Sequence, residues 1–363
     1  VSFLISHPSM SAETEAPMAA EPTNPTPLPR IVVLDGLPAS AAKPGQTAPE
    51  GEPSWDSLCE LGEVVFYDRT SPSELVSRME GAAIALTNKV CFTADVIAQL
   101  PSLRYIGVTA TGVNVVDVPA ATAAGITVTN VPGYSSPSVA QHVFAMLLDL
   151  TNRVSLHSQS VHDGAWSKCP DFSYTLSPLQ ELAGKTILIV GMGSIGQKVA
   201  AIAHAFGMNV SAALQSSTER VNDLPEVARL NVLWGDIDSL LPEADVVSLN
   251  CPLTETTKGL INADRLTSMK KTALLLNTGR GPLIDESALA AALREGGIAG
   301  AGLDVMCQEP PQADNPLLSC PTCVITPHVA WASQEARARL VSVVIANVAA
   351  FVKGESLNVI NKE

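Results

Sequence analysis

Six short runs of apolar residues in the second half of the chain constrain the fold more than any other feature of the sequence. They are almost continuously apolar instead of alternating, which is typical of parallel strands covered by helices on both faces. Helix-like segments lie between most of them, so the sequence predicts an α/β fold with a doubly wound parallel sheet. The runs are TILIV (186–190), NVSAAL (209–214), DVVSLN (245–250), ALLLN (273–277), GAGLDV (300–305) and CVIT (323–326).

The first half of the chain shows the same rhythm on a smaller scale. Five strand-like runs alternate with helix-like segments, which indicates a second α/β unit. A chain of 363 residues is long for a single hydrophobic core, so two domains are expected. A long apolar helix opened by Pro137 and Ser138 is predicted at their junction. The five runs are RIVVLDG (30–36), GEVVFYD (62–68), AAIALTN (82–88), LRYIGVT (103–109) and ITVTNV (126–131).

Composition and charge exclude several classes of function. The net charge of -14 argues against a nucleic-acid partner, because phosphate binding depends on Lys and Arg. No apolar stretch approaches the roughly 20 residues of a membrane span, so no membrane partner is expected. Seven scattered cysteines without a secretory signal predict a cytoplasmic protein with reduced thiols. Residues 1–29, rich in Pro, Ala and Glu, are predicted to form a disordered tail.

A glycine-rich turn, GMGSIG, directly follows the first apolar run of the second half and opens a helix-like segment. In this position Gly191 permits the tight turn, Gly193 lets the backbone approach a pyrophosphate, and Gly196 lets helix and strand pack closely. The next N–H groups would point at phosphate oxygens, so the turn predicts a dinucleotide site. These N–H groups belong to Ser194 and Ile195.

Two of the predicted helices have a recognisable boundary or face. One begins after Asp285, a good helix cap, and ends at Gly296. The other follows the glycine-rich turn and is expected to present a single apolar stripe. That stripe consists of Ile195, Val199, Ile202 and Phe206.

One part of the dinucleotide fingerprint is missing. An acidic residue about 20 positions beyond the turn normally binds the ribose hydroxyls of the adenosine. Here the second run ends at Leu214 and Gln215, and Arg220 follows after several hydroxyl residues. Because no carboxylate would repel a 2′-phosphate, NAD and NADP both stay open as cofactors.

Charged side chains follow the last three apolar runs. Arg280 comes after the fourth run, between two glycines, and His328 comes after the sixth. Asp304 ends the fifth run, and Glu309 lies five residues beyond it. Because ligands bind outside the carboxyl ends of parallel strands, these side chains are expected to converge on the cleft that the glycine-rich turn faces.

The chemistry of these four residues suits reduction of a 2-keto acid by a bound nicotinamide. His328 is the candidate acid/base, and Glu309 would orient its imidazole. Arg280 offers a planar fork of donors to the carboxylate and ketone of the acid, with its flanking glycines leaving space for the ligands. Asp304 could accept a hydrogen bond from the carboxamide of the nicotinamide. The reverse reaction oxidises a 2-hydroxy acid.

Three further features are interpreted as structural. His142 on the long helix is expected to be a buried, hydrogen-bonded histidine, and Trp166 is expected in the core or at an interface. Cys320 and Cys323 lack the additional ligands of a zinc site, so no metal is predicted.

These motifs together resemble the D-isomer-specific 2-hydroxyacid dehydrogenases across about residues 30–360. Within that family, LTNKV (86–90), ATGVNVVD (110–117) and AWASQEAR (330–337) are most similar to the glycerate dehydrogenase, or hydroxypyruvate reductase, branch. The family-wide motifs are NVPGYSSPSVAQHVFAMLL, ELAGKTILIVGMGSIGQ, CPLTETTKGLI, LLLNTGRGPLIDESALAAAL, GAGLDV with EPP and NPLL, and TPHVAWASQEARARL.

The resemblance implies two Rossmann-like, flavodoxin-like domains. A cofactor domain (138–327) would be inserted into a substrate domain made of residues 30–137 and 328–363. It also implies a homodimer that reduces hydroxypyruvate or glyoxylate to D-glycerate or glycolate with NAD or NADP. Two alternatives stay open: a dehydrogenase of another D-2-hydroxy acid, such as lactate or phosphoglycerate, and a dinucleotide-sensing scaffold similar to a corepressor.

The resemblance also assigns site residues. The catalytic trio falls on Arg280, Glu309 and His328. Two positions depart from the pattern, because Gly279 stands where a small residue with a Cβ is usual and Leu214 stands where this branch usually has an acidic residue. Cofactor contacts are assigned to Gly191, Gly193, Ser194, Ile195, Gly196, Cys251, Thr257, Thr278, Gly279 and Asp304. Substrate contacts are assigned to the backbone around Asn88, Lys89, Val90 and Gly112, and to Arg280 and His328.

Overall fold

The computed structural model describes residues 28–36, 41–213 and 225–362. Most of the tail predicted for residues 1–29 lies outside these ranges. So do Leu214, Gln215 and Arg220, on which the choice between NAD and NADP depends. Within the described residues, no helix is long and apolar enough to cross a membrane.

The first half of the chain forms a five-stranded sheet in which all strands are parallel, in the order β2-β1-β3-β4-β5. This is the flavodoxin-like order, and its strand order reverses between β1 and β3. All five strands were predicted, each three residues too long. Their bounds are Arg30–Val33 (β1), Glu63–Phe66 (β2), Ile84–Thr87 (β3), Tyr105–Val108 (β4) and Thr127–Thr129 (β5).

The second half forms a seven-stranded parallel sheet in the order β12-β11-β10-β9-β6-β7-β8. Its strand order reverses between β6 and β9, so the predicted doubly wound topology is confirmed. The bounds are Thr186–Val190 (β6), Asn209–Ala213 (β7), Leu233–Gly235 (β8), Val246–Leu249 (β9), Leu274–Asn277 (β10), Gly300–Leu303 (β11) and Cys323–Ile325 (β12).

Helices cover both sheets, and one of the two longest begins with a favourable local signal. This helix, α4, starts at Ser136, two residues before the predicted start, and carries Pro137 in its first turn. The helices are Leu75–Arg78 (α1), Ala94–Ala98 (α2), Val118–Ala123 (α3), Ser136–Asn152 (α4), Val154–His162 (α5), Ser194–Ala205 (α6), Pro225–Ala228 (α7), Ile237–Leu240 (α8), Ala263–Ser268 (α9), Glu286–Glu295 (α10) and Gln334–Val352 (α11).

One strand of the second sheet was not predicted. It is β8, an edge strand of three residues whose Leu233 is exposed. The missed strand makes Arg280 follow the fifth strand of this sheet in chain order, not the fourth. The predicted stripe of α6 is confirmed for Ile195, Val199 and Ile202, which pack in the core, whereas Phe206, just after the helix, is 41% exposed. The helix also buries Gly196, Ala200 and Ala203, since small residues let it pack closely on the sheet.

Both ends of the described chain pack on the first sheet. Helix α11 buries Leu340, Val344 and Val348 together with Ile31 of β1. After α11 the chain returns to the edge strand β5, where the N–H of Ile360 donates to the Val128 carbonyl at 2.9 Å. The first sheet is therefore completed by residues that follow the second sheet in sequence.

Candidate active site

The glycine-rich turn lies between β6 and α6, beside the point where the strand order of the second sheet reverses. Gly191 has a φ of +95°, and a Cβ there would lie 2.8 Å from the Cα of Cys251. A Cβ on Gly196 would lie 2.1 Å from the Gly191 carbonyl oxygen. A Cβ on Gly193 would meet no atom within 4 Å, so this residue borders open space. The turn has the shape that a dinucleotide pyrophosphate requires.

The N-terminus of α6 faces the same space as the turn. Ser194 is its first residue, and the Ser194 hydroxyl lies 3.0 Å from that of Ser136 at the start of α4. First-turn N–H groups, including those of Ser194 and Ile195, have no partner within the helix itself, which makes this end suitable for an anion.

The loop after β9 forms the other wall of this crevice, but one of its assigned residues does not face it. Thr257 is fully buried, donates to the Pro252 carbonyl at 2.7 Å and accepts from the Thr254 N–H at 2.7 Å. Its hydroxyl therefore shapes the loop. Cys251 is half-buried against Gly191, and burial raises the pKa of its thiol.

Arg280 lies where the two sheets meet. Its Nη1 donates to the Gly279 carbonyl at 2.7 Å, and its Nη2 lies so near Gly112 that a Cβ there would come within 2.5 Å. Asn277 holds the loop in place, because its amide nitrogen donates to the Arg280 carbonyl and its amide oxygen accepts from the Gly279 N–H. Asn277 was not predicted as a site residue, although an amide at the tip of an apolar strand is a recognisable signal.

The two glycines beside Arg280 have different tasks, which corrects the prediction that both leave space for ligands. A Cβ on Gly281 would lie 2.0 Å from the carbonyl carbon of Met306, so protein backbone fills that space. A Cβ on Gly279 would come no closer than 3.3 Å to the side chain of Leu283. A methyl group at Gly279 therefore fits with only a small shift of the Leu283 side chain.

His328 and Glu309 form a close pair, with the imidazole Nδ1 2.7 Å from the carboxylate Oε2. Burial opposes ionisation of Glu309, yet the His328 ring, the Met306 N–H and the charge of Lys89 hold the pKa of its carboxyl below the ordinary value. In the described part of the chain, no protein group hydrogen-bonds the Nε2 of His328. The pair can therefore present Nε2 to a substrate while Glu309 fixes Nδ1.

Asp304 is buried and already accepts three internal hydrogen bonds. They come from the Thr326 hydroxyl at 2.6 Å and from the N–H groups of Val329 and Ala330, each at 2.9 Å. Its own carbonyl accepts from the N–H of His328, which adopts a left-handed φ of +55°. Asp304 thus holds the loop that carries His328. A carboxamide could use only the remaining lone pair of Oδ2.

His142, interpreted as a structural histidine, belongs to the same network. Its Nε2 lies 2.9 Å from the Thr326 hydroxyl. Because that hydroxyl donates to Asp304, Nε2 carries the proton and donates in turn. His142 is half-buried and hydrogen-bonded, and it supports the loop of His328 from α4.

The substrate contacts assigned to the backbone of residues 88–90 are not available as the sequence analysis expected. Their N–H groups donate to the carboxylate of Asp35, at 2.7 Å from Asn88, 2.5 Å from Lys89 and 3.2 Å from Val90. A second anion could bind there only by displacing this carboxylate. Gly112, next to Arg280, keeps a position suited to the predicted contact.

The remaining cysteines give no indication of a site. All seven are free, Cys320 is buried, and burial raises the pKa of Cys323 to about 12. Among the described residues, no group of three or more His, Cys, Asp or Glu side chains could hold a metal ion.

A dinucleotide turn, an arginine and a His–Glu pair share the carboxyl edge of one parallel sheet, beside a second α/β domain, and together they define a two-domain dehydrogenase. The family model "D-isomer specific 2-hydroxyacid dehydrogenase, NAD binding domain" matches residues 144–330. The chain belongs to this family, and its members are NAD(P)-dependent oxidoreductases of 2-hydroxy acids. The predicted family, fold class and enzyme class are thereby confirmed.

Full-length relatives extend the similarity to both domains. The chain is 41% identical to a hydroxypyruvate reductase of Blautia hydrogenotrophica, over 92% of this chain and 100% of the relative. It is 42% identical to a glycerate dehydrogenase of Methylorubrum extorquens, over 81% and 90%. Among solved structures, an NADPH-dependent glyoxylate/hydroxypyruvate reductase from Sinorhizobium meliloti, in complex with NADP and malonate, matches with a TM-score of 0.76 and 30% identity. That match covers 92% of this chain and 96% of the other.

The contact between Gly281 and Met306 predicts a difference between the two glycines beside Arg280. Gly281→Ala should lower the free energy of unfolding by about 1–3 kcal/mol, because the new methyl group displaces the backbone that leads to Glu309. Gly279→Ala, the matched control, should cost at most about 1 kcal/mol. Urea denaturation followed by circular dichroism measures both, and equal losses would contradict the assigned contact.

Proposed function

We propose that the chain reduces small 2-keto acids to D-2-hydroxy acids, with hydroxypyruvate and glyoxylate as its main substrates. The observation that carries the proposal is the His328–Glu309 pair at the strand ends that also present Arg280. The names of the two full-length relatives favour these substrates over lactate-like acids. The open space beside Gly193 fits a dinucleotide pyrophosphate.

The residues divide the chemistry among themselves. The bound reduced dinucleotide supplies the hydride for carbon 2 of the keto acid. Arg280 binds the carboxylate of the acid and polarises the ketone, with Gly112 leaving room for its guanidinium. His328 donates the Nε2 proton to the ketone oxygen, which becomes the hydroxyl group. Glu309 stabilises the protonated imidazole through Nδ1.

A spectrophotometric assay tests this function directly. Hydroxypyruvate, glyoxylate and pyruvate are each offered with NADH and with NADPH, and oxidation of the dinucleotide is followed. We expect turnover to be fastest with hydroxypyruvate or glyoxylate. A preference for pyruvate would overturn the substrate assignment, and absence of turnover with every pair would overturn the catalytic role of the site.

Replacement of Arg280 tests whether its geometry matters in addition to its charge. Arg280→Lys keeps the charge but loses the planar fork of donors, so kcat/KM for hydroxypyruvate should fall about 100-fold. The matched control is Arg294→Lys on α10, where the guanidinium hydrogen-bonds the Pro316 carbonyl and the Ser319 hydroxyl, away from the candidate site. Near-normal kinetics of Arg280→Lys would refute the bidentate contact between the Arg280 guanidinium and the substrate.

For the cofactor, we propose that the 2′-phosphate of NADP is tolerated because the expected carboxylate is replaced by Leu214. Leu214→Asp should lower kcat/KM for NADPH at least about tenfold, since like charges in contact cost several kcal/mol. Leu214→Asn has nearly the same shape without the charge and should change the NADPH/NADH ratio little. The proposal fails if the Asp variant keeps the NADPH/NADH ratio of the parent.

We propose that the active form is a homodimer in the cytoplasm. The segment from α5 to β6 exposes several large apolar side chains, among them Phe172 (91% exposed) and Trp166 (52%). Such a patch favours burial against a second copy. The seven free thiols suit a reducing compartment. Light scattering after gel filtration should give about twice the chain mass of 37.9 kDa, and a monomer would contradict the assignment.

A further inference from the structure

The first sheet has its own reversal of strand order, between β1 and β3. In sheets of this kind the crevice outside the reversal point is where ligands bind. Here it contains Asp35, two residues beyond the end of β1, and residues 88–90 directly after β3. A carboxylate of the protein thus occupies the position that an anionic ligand would take.

The carboxylate of Asp35 is tightly held. Its Oδ1 accepts the Asn88 N–H, and its Oδ2 accepts the N–H groups of Lys89 and Val90. The residue is 9% exposed, and burial raises the pKa of its carboxyl although the three N–H groups oppose this. Three consecutive N–H groups pointing at one carboxylate fix the conformation of the loop.

One side of this loop leads to Arg280. The Asn88 amide nitrogen donates to the Thr109 carbonyl at 2.7 Å, at the carboxyl end of β4. Three residues further along that segment lies Gly112, which is packed against the Arg280 guanidinium. Displacement of Asn88 would therefore move the surface that faces Arg280.

The other side of the loop leads to the His–Glu pair. Lys89 is exposed, and its charge acts on Glu309. Together with Asp35 and Val90, Lys89 also lines a cavity of about 650 Å³ in the first domain. The position of its ammonium group thus depends on the backbone that Asp35 holds.

We propose that Asp35 is a positioning residue for keto-acid binding, which sets through residues 88–90 where Gly112 and Lys89 lie relative to Arg280 and Glu309. The inference rests on the proposed function, because the ligand concerned is its keto acid. In this role Asp35 acts through the loop and not by touching substrate or cofactor. The residues that it holds belong to the first domain, whereas the glycine-rich turn lies on the second, so cofactor binding is not expected to depend on Asp35.

The substitution Asp35→Asn tests this division. The amide has nearly the same shape, but its nitrogen is a donor and cannot accept, so at least one of the three N–H groups loses its partner and the loop is held less tightly. We expect KM for hydroxypyruvate to rise at least about tenfold, as is usual when a hydrogen bond to a charged group is lost. The dissociation constant of NADH, from fluorescence quenching, should stay within about twofold of the parent value.

Asp56→Asn is the matched control. Its carboxylate also holds a loop of the first domain, accepting the Gly45 N–H and the Ser54 hydroxyl, but these partners belong to a different loop from residues 88–90. This variant should leave KM unchanged. An equal rise in KM for Asp35→Asn and Asp56→Asn would reduce Asp35 to a general stabiliser and overturn the proposal.

A second variant keeps the test sharp if Asp35→Asn folds poorly. Asn88→Ala leaves the backbone N–H groups of the loop in place and breaks only the contact with Thr109. It should also raise KM without changing NADH affinity, and the double variant should lose less than the product of the single effects. Unchanged KM in Asn88→Ala, or fully multiplicative losses, would overturn the route through Asn88.

Hydrogen–deuterium exchange separates this proposal from the proposed function. In the unliganded parent the amides of residues 88–90 should exchange slowly, and in Asp35→Asn they should exchange at least about tenfold faster. If the parent reduces no keto acid, the function fails while this measurement still reports on the loop. If the amides exchange equally fast in both proteins, Asp35 does not hold the loop and the proposal fails.

Discussion

The structure depends on one constraint, which is that its central strands are buried on both faces. The four residues of β10 are all buried between helices, so no charged side chain can project from the strand itself. A charged side chain can therefore reach the cleft only where a strand ends. Arg280 and Asp304 are placed by this rule just beyond β10 and β11. His328 follows β12, and the site assembles at the common carboxyl edge.

Features that depend on this constraint could be predicted from the sequence. The apolar runs predicted every strand longer than three residues, because a strand that is buried on both faces is apolar at nearly every position. Asp285 and Gly296 bound α10 as expected, since capping is a local property. The Glu309–His328 pair could be anticipated because strand ends of one parallel sheet share an edge.

Features that depend on contacts between distant segments could not be predicted. Nothing local shows that Asp35 accepts the N–H groups of a loop more than 50 residues away. The need for glycine at Gly281 comes from the backbone of Met306, which belongs to another strand connection. Thr257 has a suitable residue type, but its burial is decided by the fold of its loop. The edge strand β8, Leu233–Gly235, is only three residues long and has no buried residue, so it leaves no apolar run in the sequence.

The packing of α11 on the first sheet has a consequence for synthesis of the chain. The ribosome releases β1 to β5 first, yet part of the core that covers them is made only after the strands of the second sheet. The second sheet is complete once β12 has emerged, and it can close its core while the first still exposes an apolar face. The long sequence separation between Ile31 and Val348 slows that last step, because bringing such distant residues together costs loop-closure entropy before their contacts form. The domain begun first is thus finished last.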